Sequence, residues 1–483
     1  MAGPWRRRGA ADILALAPGM MALRHPAGPS SLGVGKRHII AAATALVGVL
    51  LVSMVGTLSF GDWEAALESD KGDLARQLLL SGVFLLLLLG TGPVVAIARH
   101  PVERLRWPLP LSLIILLGYC LISVGWAIAP FVSLRRFVLT TMVIWMIFRT
   151  VAVLGYDRTF VVVRWTLVAV LLANFLSLLV PGLGLQSDVL GGDPSVVGDW
   201  RGLQAHKNLA GAVCAFTILV FLFDRRSVPP YLAVPVILGS SIFLYFTHSK
   251  TSEGVLFIAL LTGLLVRPYS AGNRALLGPF AIILLGLFLQ IVPLYLERVD
   301  ALLSDPAALT GRSQIWPILL IYAGEHPLTG AGFGSFWQIG DDSPIWDFTS
   351  GWIARSAGHG HNGYLDLLVT IGVPGLLLAV LALLIWPTIR LLLSHAIRKP
   401  RRALLLSLLV FCAGHNITET SLMDRVSVVQ VFLILTIALI YQQSQRSPGR
   451  HHQWRRRSLR IFAAGPRQAS AAACAPRQRL HDM

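Results

Sequence analysis

The feature that most constrains this chain is a succession of apolar runs about 20 residues long, the length that carries a helix across a bilayer. Twelve candidate spans lie at about 38–58, 77–98, 108–129, 134–154, 159–180, 205–223, 231–247, 252–266, 275–296, 363–389, 403–418 and 426–442. The run at 252–266 is short and is expected to tilt or break. The expected fold class is therefore all-α: a polytopic membrane protein of about 12 transmembrane helices. Composition agrees, since 13% of residues are charged and 55% hydrophobic, against about 25% charged in a soluble domain.

Charge sets the expected orientation. Lys36 and Arg37 precede the first span, and Arg99, Arg104 and Arg106 follow the second. Arg225 and Arg226 follow the sixth, Arg267 and Arg274 the eighth, and Arg390, Arg398, Lys399, Arg401 and Arg402 the tenth. With an even number of spans these all fall on one side, which places both termini in the cytoplasm. The acidic loop 59–76 and the long loop 297–361 then lie outside. Residues 1–37 and 443–483 read as basic, disordered cytoplasmic segments flanking a membrane domain at 38–442. The tail is further expected to be drawn to the lipid surface. The start of the chain lacks a clean small-residue cleavage site after its first apolar run, which reads as a retained span.

The net charge of +17 follows from this asymmetry and does not imply nucleic acid, for which no binding module is present. Four cysteines, Cys120, Cys214, Cys412 and Cys474, stand at no metal-ligand or redox spacing.

The long loop concentrates polar chemistry: Arg312, Glu325, His326, Asp341, Asp342, Asp347, Arg355, His359 and His361. A loop of that length in an apolar chain is commonly functional. Other cations defy the inside rule. Arg135 and Arg136 open the fourth span, Arg201, His206 and Lys207 precede the sixth, and His248 and Lys250 end the seventh. Ionisable groups at such depth are costly and mark function by default. Each also has a plainer reading: Arg135 and Arg136 as snorkelling anchors, Lys207 and Lys250 as ties to Asp199 and Glu253, and Arg312 as a cap of the helix after it. Taken together, one-signed clusters on the outer side point to an anion site, with pyrophosphate an obvious occupant.

His361 sits between Gly360 and Gly363 just before an apolar helix. Histidine suits proton transfer near neutral pH, although a lone histidine is more often structural. His359-Gly360-His361 lacks a third ligand at sensible spacing, so no metal is expected, and no cofactor. Gly330-Ala331-Gly332-Phe333-Gly334 reads as a turn-rich loop, not a nucleotide site.

Several motifs together resemble the O-antigen ligase and polymerase superfamily. They are Gly311-Arg312-Ser313-Gln314-Ile315-Trp316, His326-Pro327-Leu328-Thr329-Gly330-Ala331-Gly332-Phe333-Gly334, His361-Asn362-Gly363-Tyr364-Leu365-Asp366 and Gly372-Val373-Pro374-Gly375. His361, Asn362, Gly372 and Gly375 meet the ligase spacing, and His206-Lys207-Asn208 resembles the branch with exopolysaccharide repeat-unit polymerases. The resemblance implies a GT-C-like, metal-independent glycosyltransferase with a large periplasmic loop in a bacterial inner membrane. Its donor would be a saccharide on undecaprenyl pyrophosphate. It implies His361 as general base or acceptor-orienting residue, Asn362 beside it, and Arg312 as the loop arginine. Arg201, Lys207 and Lys250 are then pyrophosphate-contacting cations, with His206, Arg135 and Arg136 in the same group. Partners implied are the lipid-linked oligosaccharide, the membrane and other polysaccharide-assembly proteins. Competing readings are a secondary transporter of anionic solutes, which would place polar residues near the midplane with repeat symmetry, and a non-catalytic assembly component.

Overall fold

Backbone polar groups in hydrocarbon must be satisfied within the segment that carries them, so apolar runs of this kind form helices. A computed structural model describes residues 36–55, 71–91, 109–186, 196–224, 228–277, 312–349 and 358–445, with isolated positions between 278 and 290. Helices make up the regular structure of the described residues, and the only extended pairing among them is a single bridge between Leu185 and Trp200. The expected terminal segments up to residue 35 and from 446, most of the acidic loop, the ninth span beyond residue 277, residues 297–311 of the long loop and Arg355 lie outside the described residues.

The helices are α1 (Lys36–Met54), α2 (Lys71–Thr91), α3 (Leu111–Ser123), α4 (Pro130–Ser177), α5 (Lys207–Phe223), α6 (Pro230–Phe246) and α7 (Lys250–Val266). After them come α8 (Arg312–Glu325), the single turn α9 (Ile345–Phe348), α10 (Gly363–Val380), α11 (Trp386–Leu393), α12 (Lys399–His415) and α13 (Val428–Ser444). Three helical stretches are long and apolar enough to cross a membrane: Lys36–Met54, Pro130–Ser177 and Gly363–Leu393. The apolar helices Lys207–Phe223, Pro230–Phe246 and Val428–Ser444 are shorter.

The two runs expected at 134–154 and 159–180 form the one stretch α4, broken at Gly155, whose φ of 73° departs from the helix. A π-type turn over Leu381–Ile385 joins α10 to α11. The core gathers around α13, in which every residue from Val428 to Tyr441 is buried. A helix apolar on all sides belongs inside a bundle, and α13 packs on α4, α12 and α11. The helix α12 lies along α7, α5 along α6, and α1 along α4 and α2.

The site is shaped by one loop, Pro327–Gln338, pinned between two parts of the bundle. Tyr119 donates from its hydroxyl to the carbonyls of Leu328 and Ile371, each at 3.2 Å, and Trp126 from its indole to Thr329 at 3.0 Å. Ser133 donates to Phe333 at 2.7 Å, while Ala331 donates its N–H to Val369 on α10 at 2.8 Å. Gly372 makes this docking possible. Its φ is 66°, and a Cβ there would stand 2.5 Å from the Leu328 carbonyl oxygen. Only glycine tolerates both conditions, and the break lets Val373 donate its N–H to Pro327 at 2.8 Å. Above the bundle, α8 and this loop build a small second core of Ile315, Leu319, Tyr322, Phe336, Trp337 and Val369.

Candidate active site

The start of α10 is fixed by Asn362. Its Oδ1 accepts the N–H groups of Tyr364 and Leu365 at 3.0 and 3.1 Å, an N-cap of the kind that stabilises a helix by about 1 kcal/mol. The residue before the cap, His361, has φ +50°. That left-handed conformation is uncommon outside glycine and recurs at functional sites.

Neighbouring contacts hold His361 there. The Gly360 carbonyl accepts from the Trp316 indole at 2.9 Å, and the Gly360 N–H donates to both Asp366 oxygens at 3.0 and 3.1 Å. The buried Asp366 carboxylate also accepts from the Trp337 indole at 2.7 Å and from the Thr420 hydroxyl. One carboxylate thus draws together the His361 loop, the pinned loop and the turn after α12. The space is tight: a Cβ on Gly363 would lie 2.3 Å from Asn416 Oδ1. The turn after α12 is closed by Asn416, whose Oδ1 accepts the N–H groups of Ser421 and Leu422 at 2.8 and 2.9 Å. Gly363 donates its N–H to the carbonyls of Asn416 and Glu419, at 2.9 and 3.1 Å.

That turn sets Glu419 opposite His361. Glu419 Oε2 lies 3.3 Å from His361 Nδ1. Its Oε1 accepts from Arg312 Nη2 at 2.6 Å and from Asn208 Nδ2 at 2.5 Å. Burial would raise the Glu419 carboxyl, but the hydrogen bond and charge of His361, with Arg312, outweigh it and hold the group well below the usual carboxylate range. The His359 ring stands 4.2 Å from that of His361, edge to face, and its Nδ1 accepts the His361 N–H at 3.3 Å. Burial first, and then the charge of His361, push His359 down to about 3, so it is neutral at physiological pH. The His361 side chain keeps 33% of its surface exposed, whereas those of Glu419 and Arg312 are nearly enclosed.

Three of the residues singled out from the sequence meet here: His361, Arg312 and, as the helix cap, Asn362. His206 caps α5, its Nδ1 accepting the Asn208 N–H at 3.2 Å, within electrostatic reach of Glu419 and His361. Lys207 turns to Asp199 at 2.5 Å, and the other Asp199 oxygen meets His248 Nδ1 at 2.5 Å. Lys250 pairs with Glu253 at 3.6 Å and is 84% exposed. Both lysine pairs are the ties that sequence alone offered as the plainer reading. Arg136 donates to the carbonyls of Gly334, Trp337 and Gln338, and Arg201 to those of Leu185 and Gln204. These two guanidiniums brace loops through backbone oxygens. Arg135 is half-buried beside Arg136.

Glu419 was absent from the sequence reading. Its signal was available: an acidic residue directly after an apolar run, in Asn416-Ile417-Thr418-Glu419. Among the described residues no group of three or more histidine, cysteine or acidic side chains is placed to hold a metal ion.

Residues 234–380 match the family model described as O-antigen ligase. The match supports the resemblance to the O-antigen ligase and polymerase superfamily. A search of curated proteins gave no match. The ligase-family stretch carries Lys250, Arg312, His361 and Asn362. Asn208 and Glu419, which complete the cluster, flank it in the chain. That match, with the apolar helices, supports a membrane enzyme similar to the O-antigen ligases.

Proposed function

We propose that this chain is a metal-independent glycosyltransferase that transfers or polymerises an undecaprenyl-pyrophosphate-linked oligosaccharide at the periplasmic face of a bacterial inner membrane. The observation that carries the reading is the contact of a partly exposed histidine, His361, with a buried carboxylate that also binds Arg312. A sugar hydroxyl is a weak nucleophile, and a base that takes its proton in the transition state lowers the barrier. His361 removes the acceptor proton, the acceptor oxygen bonds to the anomeric carbon, and the bond from that carbon to the phosphate oxygen breaks. The electron pair leaves with the lipid pyrophosphate, whose charge Arg312 stabilises. The proposed topology is twelve spans, with both termini cytoplasmic and the 297–361 loop outside, and it rests on the charge asymmetry of the sequence. His206-Lys207-Asn208 favours a polymerase, in which a second lipid-linked repeat is the acceptor.

The test is transfer by purified full-length protein in liposomes with a lipid-linked donor. His361→Ala should abolish most product while the protein still reaches the membrane. Addition of EDTA should leave the wild-type rate unchanged, and a loss restored by a divalent ion would refute metal independence.

A further inference from the structure

We infer that Glu419 is the positioning residue of this site, holding the acceptor-side histidine and the donor-side arginine in one fixed relation. The inference rests on the reading of His361 as the base. Three donors from three separate elements converge on this one carboxylate: Asn208 near the start of α5, Arg312 at the start of α8 and His361 just before α10. Glu419 stands on the turn between α12 and α13, so it links parts of the bundle that are distant in sequence.

The division of its two oxygens has a chemical consequence. An ionised carboxylate only accepts hydrogen bonds, so the His361 nitrogen facing Oε2 carries the proton. Neutral His361 is then protonated at Nδ1, and Nε2 keeps the lone pair that a base needs. The other oxygen, Oε1, holds the Arg312 guanidinium and the Asn208 amide. Glu419 stays ionised throughout: the acceptor proton ends on His361 Nε2, and the carboxylate stabilises the imidazolium that forms. The contact at 3.3 Å is long for a hydrogen bond, and such bonds commonly shorten once substrate is bound. The left-handed backbone at His361 and the Gly363 N–H bonded to the Glu419 carbonyl fix the two residues against each other.

The titratable groups that face His361 are Glu419, Asp366, His359 and His206, and Arg312 and His415 face Glu419. His359 is neutral in the working range, so Glu419 supplies the nearest opposite charge that a substitution removes. The base works deprotonated, so protonation of the base sets the acidic limb of the activity profile. Removing an anion beside an imidazole disfavours the imidazolium. Glu419→Gln, which keeps the shape and removes the charge, should therefore move the acidic limb of the kcat/KM profile for acceptor to lower pH, by about one unit. Maximal turnover should fall by about 10–10³-fold. Glu419→Asp should keep the limb near its wild-type position with a lower rate. A loss of rate at every pH with an unmoved limb in Glu419→Gln would reduce Glu419 to a helix tie and overturn the inference.

The wild-type chain gives an independent readout. Solid-state NMR of the ¹⁵N-histidine-labelled protein in bilayers, with the His361→Ala spectrum subtracted, should show neutral His361 protonated at Nδ1. A neutral form protonated at Nε2 would also overturn the inference. Failure of the parent reading looks different: His361→Ala would then retain transfer. An inactive His361→Ala with an unshifted Glu419→Gln profile sinks only the role of Glu419.

Discussion

Replacing Asp366 with alanine tests whether the site is assembled by one buried carboxylate. Three donors end on Asp366: the Gly360 N–H at 3.0 Å, the Trp337 indole at 2.7 Å and the Thr420 hydroxyl. The first two are buried and the Thr420 hydroxyl is part-buried, and a buried donor left without a partner costs about 1–3 kcal/mol. The three belong to one network, so their costs do not add in full, and a total of roughly 3–6 kcal/mol follows. That is a large fraction of the stability of an ordinary domain, roughly 5–15 kcal/mol. The loss falls where the His361 loop, the pinned loop and the Glu419 turn meet, so geometry at His361 should degrade along with stability. Asp366→Asn keeps an oxygen for two of the donors and should sit between wild type and Asp366→Ala. The assay is intrinsic tryptophan fluorescence during thermal unfolding in detergent, paired with transfer in liposomes. The ranking wild type, Asn, Ala is expected in both. An Asp366→Ala protein with wild-type melting and transfer would refute the claim that this carboxylate organises the site.

Two further outcomes follow from the same geometry. Arg312→Ala should impair transfer more than Arg312→Lys, and lysine should rescue only in part, because charge returns without the planar fork that binds phosphate oxygens in pairs; near-wild-type transfer by both variants would make Arg312 a structural partner of Glu419 alone. A cysteine placed at the exposed position Asp342 should react with an impermeant thiol reagent added from the periplasmic side of intact cells, and reaction only after the membrane is opened would reverse the proposed topology.

Much of the scaffold was legible because its signal is local. Runs of apolar residues at 38–58, 205–223, 231–247 and 426–442 anticipate α1, α5, α6 and α13 to within a few residues. The break at Gly155 was not legible, since one glycine in an apolar run does not announce a positive φ. The site was half legible. His361, Asn362 and Arg312 stood out through the motifs they occupy, whereas Glu419 and Asp366 gain their meaning only when distant segments meet. Sign of charge was the weakest guide. Arg136 and Arg201 looked like anion ligands, yet their guanidiniums face backbone carbonyl oxygens. An arginine meets phosphate and carbonyl oxygen through the same N–H groups, and only tertiary structure tells which of the two it faces.

The central claim is that His361 performs proton transfer, and single-turnover kinetics on His361→Ala test it most directly. The full-length variant, reconstituted in liposomes with the lipid-linked donor bound, should form the glycosidic bond about 10²–10⁴-fold more slowly than wild type, the usual contribution of general acid–base catalysis. Donor affinity should be nearly unchanged, because Arg312 and not the histidine is assigned to the pyrophosphate. His359→Ala, which removes the neighbouring neutral ring, should be much milder. A well-inserted His361→Ala protein that forms the bond at close to the wild-type rate would contradict the account.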